Sequence, residues 1–265
     1  MSQRSEWVFP NAATPPGSAA YYVVRFSEPR QQQALARWFA WFAHIDKIAT
    51  KASDPGVARL KLDWWREEAG NMLGNQARHP LAQALSEQVH SPIQVEQMQR
   101  ALQAVEQRIL RRQPRTLDEF HHQAADQFAS RLQLLCEGHN GYSPTLEKLG
   151  THIGTSHRLA HLATDLRDNY LSLPADLLGQ LELSGADIEN NRRPEKLESL
   201  GDQLFLSVAL ERSDRKHART RFEPALRYAA QSLRLQKILK KNRYAANRTH
   251  RATPIGLLWS AWRMR

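Results

Sequence analysis

The sequence predicts a single all-α domain, on three observations. Apolar residues recur at steps of three and four along most of the chain, the period of a helix buried on one face. Strand-like alternation is essentially absent. No repeat, low-complexity tract or interdomain linker divides the 265 residues, a length that suits one helical bundle with a substantial core.

Each element has its own local reason. Leu35, Trp38, Phe39, Phe42, Ile45 and Ala49 keep helical spacing, as do Val95, Met98, Leu102, Val105 and Ile109, and then Phe120, Ala124, Phe128, Leu132 and Leu135. Thr116 and Glu119 stand at capping-box spacing. Pro144, Pro174, Pro194 and Pro254 each stand where a helix can begin, because a first-turn proline gives up no needed hydrogen bond. These signals predict helices at about 19–26, 30–50, 55–75, 80–89, 93–112, 117–138, 144–170, 175–181, 195–221, 224–241 and 254–263. Asn190 to Pro194 is the best loop candidate, and His139 between Gly138 and Gly141 reads as a helix end. Residues 1–18, polar and Pro-rich, are expected to be a flexible lead, and residues 19–265 the domain.

Composition narrows the functional classes. Apolar residues make up 41%, as in a globular protein. Cys136 is the only cysteine, so no intrachain disulfide forms, and its place on an apolar helix face marks a buried thiol. No apolar run is long enough to cross a bilayer, and the start lacks the pattern of a secretory signal, so a cytoplasmic location is expected. The net charge of +10 is concentrated: residues 201–265 hold 15 Lys or Arg against 4 Asp or Glu, leaving the first 200 residues at −1. Such a surplus favours an anionic partner. Nucleic acid is not expected, because no recognition motif accompanies the charge.

Two segments carry candidate chemistry. Phe42-Ala-His-Ile-Asp46-Lys47-Ile-Ala-Thr50 ends the aromatic helix. Farther on, His157, His161, Asp165 and Asp168 are spaced by four, four and three, which sets them in one polar stripe. Such side chains suit a metal ion or a polar ligand, with His161 a substrate-binding candidate; a solvated face or internally satisfied histidines give the same pattern. Asp63, Glu67 and Glu68 read as exposed salt-bridging acids rather than a paired acid site. Trp64 and Trp65 point to different faces, so at most one is deep.

With these segments in view, the chain resembles the squalene/phytoene synthase family of all-α isoprenoid synthases. Tyr21-Tyr22, Phe26 and Arg30 resemble the family's opening helix. Ala34-Leu35 through Ala49 resembles its first aspartate-motif helix, and Trp65-Arg66-Glu67 the tryptophan-arginine helix after it. Leu166-Arg167-Asp168, Leu173-Pro174 and Leu177 resemble its second aspartate motif and the Leu-Pro that follows. The resemblance implies a helical bundle with a central pocket, where carboxylates hold Mg²⁺ ions that bind the diphosphates of two prenyl substrates during head-to-head transfer. The metals neutralise a leaving group that otherwise departs poorly. Carried over by resemblance, Asp46 and Asp168 are the catalytic, Mg²⁺-binding acids, and Tyr22, Arg30 and Arg167 orient diphosphates. Asp165 joins the metal set on helix spacing alone.

Both motifs depart from the family pattern. Of the acids expected in Asp46-Lys47-Ile48-Ala49-Thr50, only Asp46 remains. The second motif keeps Asp168, lacks its partner acid, and reaches Leu-Pro through a shortened Asn169 to Ser172. Asp46, Asp165 and Asp168 are expected to hold one Mg²⁺ rather than a cluster, and Lys47 to meet a phosphate directly or to pair with an acid. Two readings follow. One is a protein that binds an isoprenoid diphosphate or lipid-like anion, a prenyltransferase if active. The other is a non-catalytic factor, because the chain also resembles the mitochondrial complex I assembly factor that carries this domain, including its Pro-to-Trp-Arg ending at Pro254–Arg263. The basic C-terminal region, with Leu257, Leu258, Trp259 and Trp262, suits a membrane surface or a membrane-protein partner, which would make the protein peripheral at an inner membrane. Core packing of Leu257, Trp259 and Trp262 with solvated charges is the reading favoured over it from sequence.

Overall fold

A computed structural model describes residues 6–51, 54–136 and 143–264. They form thirteen helices and, among the described residues, no strand. In order these are α1 (Ala19–Arg25), α2 (Pro29–Lys51), α3 (Pro55–Leu73), α4 (Pro80–Ser86), α5 (Pro92–Ile109), α6 (Leu117–Leu135), α7 (Pro144–Arg167), α8 (Ala175–Gln180), α9 (Gly185–Glu189), α10 (Pro194–Leu206), α11 (Arg212–Arg221), α12 (Glu223–Lys241) and α13 (Pro254–Trp262).

Helices α6 and α7 form the central pair, with α5 against α6, α12 against α7 and α3 against α5. The pair is tight because α7 is small where α6 crosses it: a Cβ on Gly150 would lie 2.3 Å from the Ala129 nitrogen, and one on Gly154 2.7 Å from Ala124 Cβ. The larger core contains Trp38, Trp41, Phe42 and Ile45 of α2, Leu62 and Trp65 of α3, and Phe128 and Leu132 of α6. A second cluster joins Phe120 and Leu159 to residues of α8, α9, α10 and the end of α12. Of the adjacent tryptophans, Trp65 is buried and Trp64 only partly so. Cys136 is buried, which pushes its thiol pKa up to about 12.

Several boundaries differ from expectation for identifiable reasons. The span 195–221 is two helices, because Glu211 starts α11 by exchanging hydrogen bonds with Asp214. The five-residue α9 was not expected, although Ser184 and Asp187 cap it reciprocally. The Thr116 side chain does accept from Glu119 N, at 3.1 Å, but Glu119 Oε2 accepts from Arg115 N instead of completing the box. Residues 6–18, read from sequence as part of a flexible lead, make specific contacts. Asn11 Nδ2 donates to Ala36 O at 3.2 Å, Gln33 Nε2 donates to Trp7 O at 3.0 Å, and Thr14 is fully buried. Glu68 is not an exposed acid either: it is buried and accepts from the backbone N–H groups of Arg78 and His79, which fixes the turn into α4. The helix end expected around His139 lies outside the described residues.

Candidate functional site

Asp46 sits on the inward side of α2 and is held by a residue of α6. Arg131 Nη1 donates to Asp46 Oδ2 at 2.8 Å and Nη2 to Oδ1 at 2.7 Å, a bidentate pair. The Arg131 side chain is 8% exposed and that of Asp46 34%. The guanidinium lies over the rings of Phe42 and Phe128, at 5.3 and 5.8 Å. Burial works against the charge on Arg131, but Asp46 outweighs it and holds the proton more firmly than usual.

Three members of the α7 stripe, His157, His161 and Asp165, line a narrow pocket between α5, α6 and α7 that does not include Asp46. Its lining includes Arg108, His157, Arg158, His161, Asp165 and Tyr170, and its volume of ≈ 30 Å³ leaves room for about two waters. His157 and His161 stack with centroids 4.2 Å apart, and His161 Nδ1 lies 2.9 Å from His157 O. Burial first, then His161 and the arginines around it, lowers the His157 pKa far below its ordinary value, so this ring is neutral. Arg158 donates to Gln123 Oε1 at 3.1 Å and lies over Phe120. Ser172 Oγ donates to Asp165 Oδ2 at 2.9 Å; burial raises the Asp165 pKa despite that bond and the nearby Arg108 and Arg158. The pocket is therefore lined by two guanidinium groups, neutral imidazole and one carboxyl group.

The other expected residues lie elsewhere. Asp168 is exposed at the C-terminal cap of α7, where its carbonyl accepts from Arg111 at 2.6 Å. Arg167 bends back to Ala163 O at 3.1 Å and lines an outer groove beside Glu189 and Arg248. Arg30 is exposed and paired with Glu28 at 2.6 Å. Tyr22 stays in α1, stacked on Phe26. Lys47 faces away from the α5–α7 pocket, into an open groove of ≈ 520 Å³ between α2 and α3 that it lines with His44, Lys61, Trp64 and Trp65.

The expected three-acid metal site is not assembled. Among the described residues no three His, Cys, Asp or Glu side chains gather closely enough to hold a metal ion. Asp46 is committed to Arg131, Asp165 shares its pocket with two arginines, and Asp168 is at the surface. Mg²⁺ takes several oxygen donors in near-octahedral array, and this donor set does not fit it. The sequence reading missed Arg108, Arg131 and Arg158. Arg131 is the one Lys or Arg of α6 and falls within its apolar register, Phe128 and Leu132 to either side, a position that calls for a buried partner.

The comparisons with solved structures show that this helical bundle has the isoprenoid synthase fold. A sequence model of squalene/phytoene synthase matches residues 14–235, and the chain belongs to that family. A dehydrosqualene synthase, solved in complex with a ligand, superposes with a TM-score of 0.74 at 13% identity, covering 93% of this chain and 90% of that one. Squalene synthase HpnC from Alicyclobacillus acidocaldarius superposes with a TM-score of 0.70 at 15% identity, covering 88% and 92%. A search of curated proteins finds no match.

Proposed function

We propose that this protein binds an isoprenoid diphosphate, or a related lipid-like phosphate, without divalent metal, and does not carry out head-to-head prenyl transfer. The observation that carries this reading is the charge of the inner site: Arg131 satisfies Asp46, and Arg108 and Arg158 line the pocket beside Asp165. Guanidinium groups match phosphate oxygens with parallel hydrogen bonds. They neutralise a bound diphosphate much as a metal does, yet supply no Lewis acid to drive its departure. With room for about two waters, the pocket must open for a diphosphate to enter.

The test is direct. Farnesyl diphosphate and inorganic pyrophosphate are titrated into the protein in Mg²⁺ and in EDTA, while pyrophosphate release is followed. The expected result is binding that survives EDTA, no release, and affinity lowered at least about tenfold by Arg108→Gln, the loss of one charge-assisted contact. Binding that requires Mg²⁺, or release that depends on it, would sink the reading. Binding weakened by Lys61→Gln and not by Arg108→Gln would move the site to the α2–α3 groove.

A second reading, a non-catalytic factor serving a membrane respiratory complex, is favoured by one feature of the C-terminus. Trp259 and Trp262 are 53% and 50% exposed, where core packing was expected. Co-purification of the complex with the full chain, lost on Trp259→Ala/Trp262→Ala, is the outcome it requires.

A further inference from the structure

The most unusual surface lies on α13, which is amphipathic in reverse. Ile255, Leu258, Trp259 and Trp262 stand at i, i+3, i+4 and i+7, so they share one face. That face points to solvent: the four residues are 79%, 39%, 53% and 50% exposed. The opposite face is made of small residues. Gly256 and Ala261 are buried, and a Cβ on Gly256 would lie 2.2 Å from Arg234 Nε of α12. The helix is thus seated on α12 by its small side and offers its large apolar side outward. A contiguous exposed apolar stripe of this kind on a soluble domain marks a binding surface rather than chance exposure.

The charge of the same segment identifies the occupant. From Pro224 to the C-terminus the chain has ten Lys or Arg and no Asp or Glu. Arg251 lies shortly before α13 and Arg263 caps its end, and both are exposed, as are Lys237, Lys241 and Arg248, whereas Arg227 is buried against Glu223 and Lys240 and Arg243 are ion-paired with Asp202 and Glu198. An apolar groove on a protein partner satisfies the stripe but leaves this field unused. An anionic lipid surface satisfies both, since headgroups take the cations while indole rings settle at the polar–apolar boundary. No helix among the described residues is long and apolar enough to cross a membrane, so the contact is one of lying on the surface. We propose that α13 is a membrane-docking helix, which lays Ile255, Leu258, Trp259 and Trp262 into the interface of an anionic leaflet while the basic C-terminal segment meets its headgroups. The proposal rests on the lipid-like ligand reading only for its purpose, to bring the protein to where such a ligand is dissolved.

The experiment is co-sedimentation of the full chain with vesicles of phosphatidylcholine, alone or mixed with phosphatidylglycerol, without isoprenoid ligand. The expected result is partition onto the mixed vesicles only, weakened by salt, with tryptophan emission shifted to the blue. Trp259→Ala/Trp262→Ala and, separately, Ile255→Asp should each lower partition by about tenfold or more. Both alter exposed side chains, so circular dichroism should be native and pyrophosphate binding in solution unchanged. That last readout keeps the two proposals apart, since pocket binding can fail while docking holds, and the reverse. No partition of the unaltered chain, or partition unaffected by either variant, would overturn the docking proposal. So would self-association in solution that Ile255→Asp abolishes without any vesicle binding, because a second copy would then be what covers the stripe.

Discussion

At the residue scale, the Asp46–Arg131 pair decides how the site behaves. Removing one member of a buried pair leaves the other charge desolvated, which typically costs about 3–5 kcal/mol. Because Asp46 is one-third exposed, Asp46→Ala should fall near about 3 kcal/mol of lost stability in urea unfolding. Arg131→Met in the same chain should recover much of that loss, since the guanidinium already lies among Phe42 and Phe128. A catalytic metal-binding acid behaves otherwise: its removal abolishes turnover and leaves stability nearly intact. The double-mutant cycle therefore separates a structural Asp46 from a catalytic one. Asp46 was legible in the sequence as the start of a motif. Its commitment was not, because the partner stands 85 residues away and only the packing of α6 against α2 brings it near.

At the element scale, α6 and α7 pack with almost no space between their backbones at Gly150. Gly150→Ala puts a methyl group within 2.4 Å of the Ala129 backbone, which neither helix can yield without moving. Overpacking of this kind costs about 1–3 kcal/mol, and Gly150→Ala should lower the unfolding midpoint accordingly. Gly70→Ala is the control, since it is exposed in α3 with nothing within 4 Å of the new methyl. It should stabilise by about 0.5–1 kcal/mol through helix propensity. Helix starts at prolines were read correctly because the signal is local. The break between α10 and α11 was missed because no Gly or Pro marks residues 207–211, and glutamate is an uncommon cap.

At the scale of the whole molecule, desolvated histidines contribute to the response to acid. Burial lowers the His152 pKa from 6.5 to about 4, opposed only in part by the nearby Val208 backbone, and neither ring nitrogen has a hydrogen-bond partner. A depressed histidine contributes stability that is fully present above its unfolded value and is lost as pH falls toward the folded one. The window for His152 is therefore from about pH 6.5 down to about pH 4, and its full size is on the order of 3 kcal/mol. His157, His121, His44 and His79 shift in the same direction. Urea stability should fall steeply across that window, and His152→Leu should flatten the slope. A slope that His152→Leu leaves unaltered would rule out this source of acid sensitivity.

The sequence by itself determined the helical class, most helix starts, the family and the placement of positive charge, because each depends on local spacing, on motif order or on composition. Tertiary structure alone decided what the polar residues do. Asp46 and Asp168 looked like one site by family resemblance, and helical spacing added Asp165 to Asp168 on α7; neither signal says what a facing helix presents. Arg131 of α6 and Arg108 of α5 supply the charge that spacing could not show. The same holds for α13: its apolar residues were visible in the sequence, but only its seating on α12, where Gly256 meets Arg234, turned the tryptophans outward. Periodicity shows that a helix has two faces, and the neighbour that fits the smaller side chains decides which of them meets water.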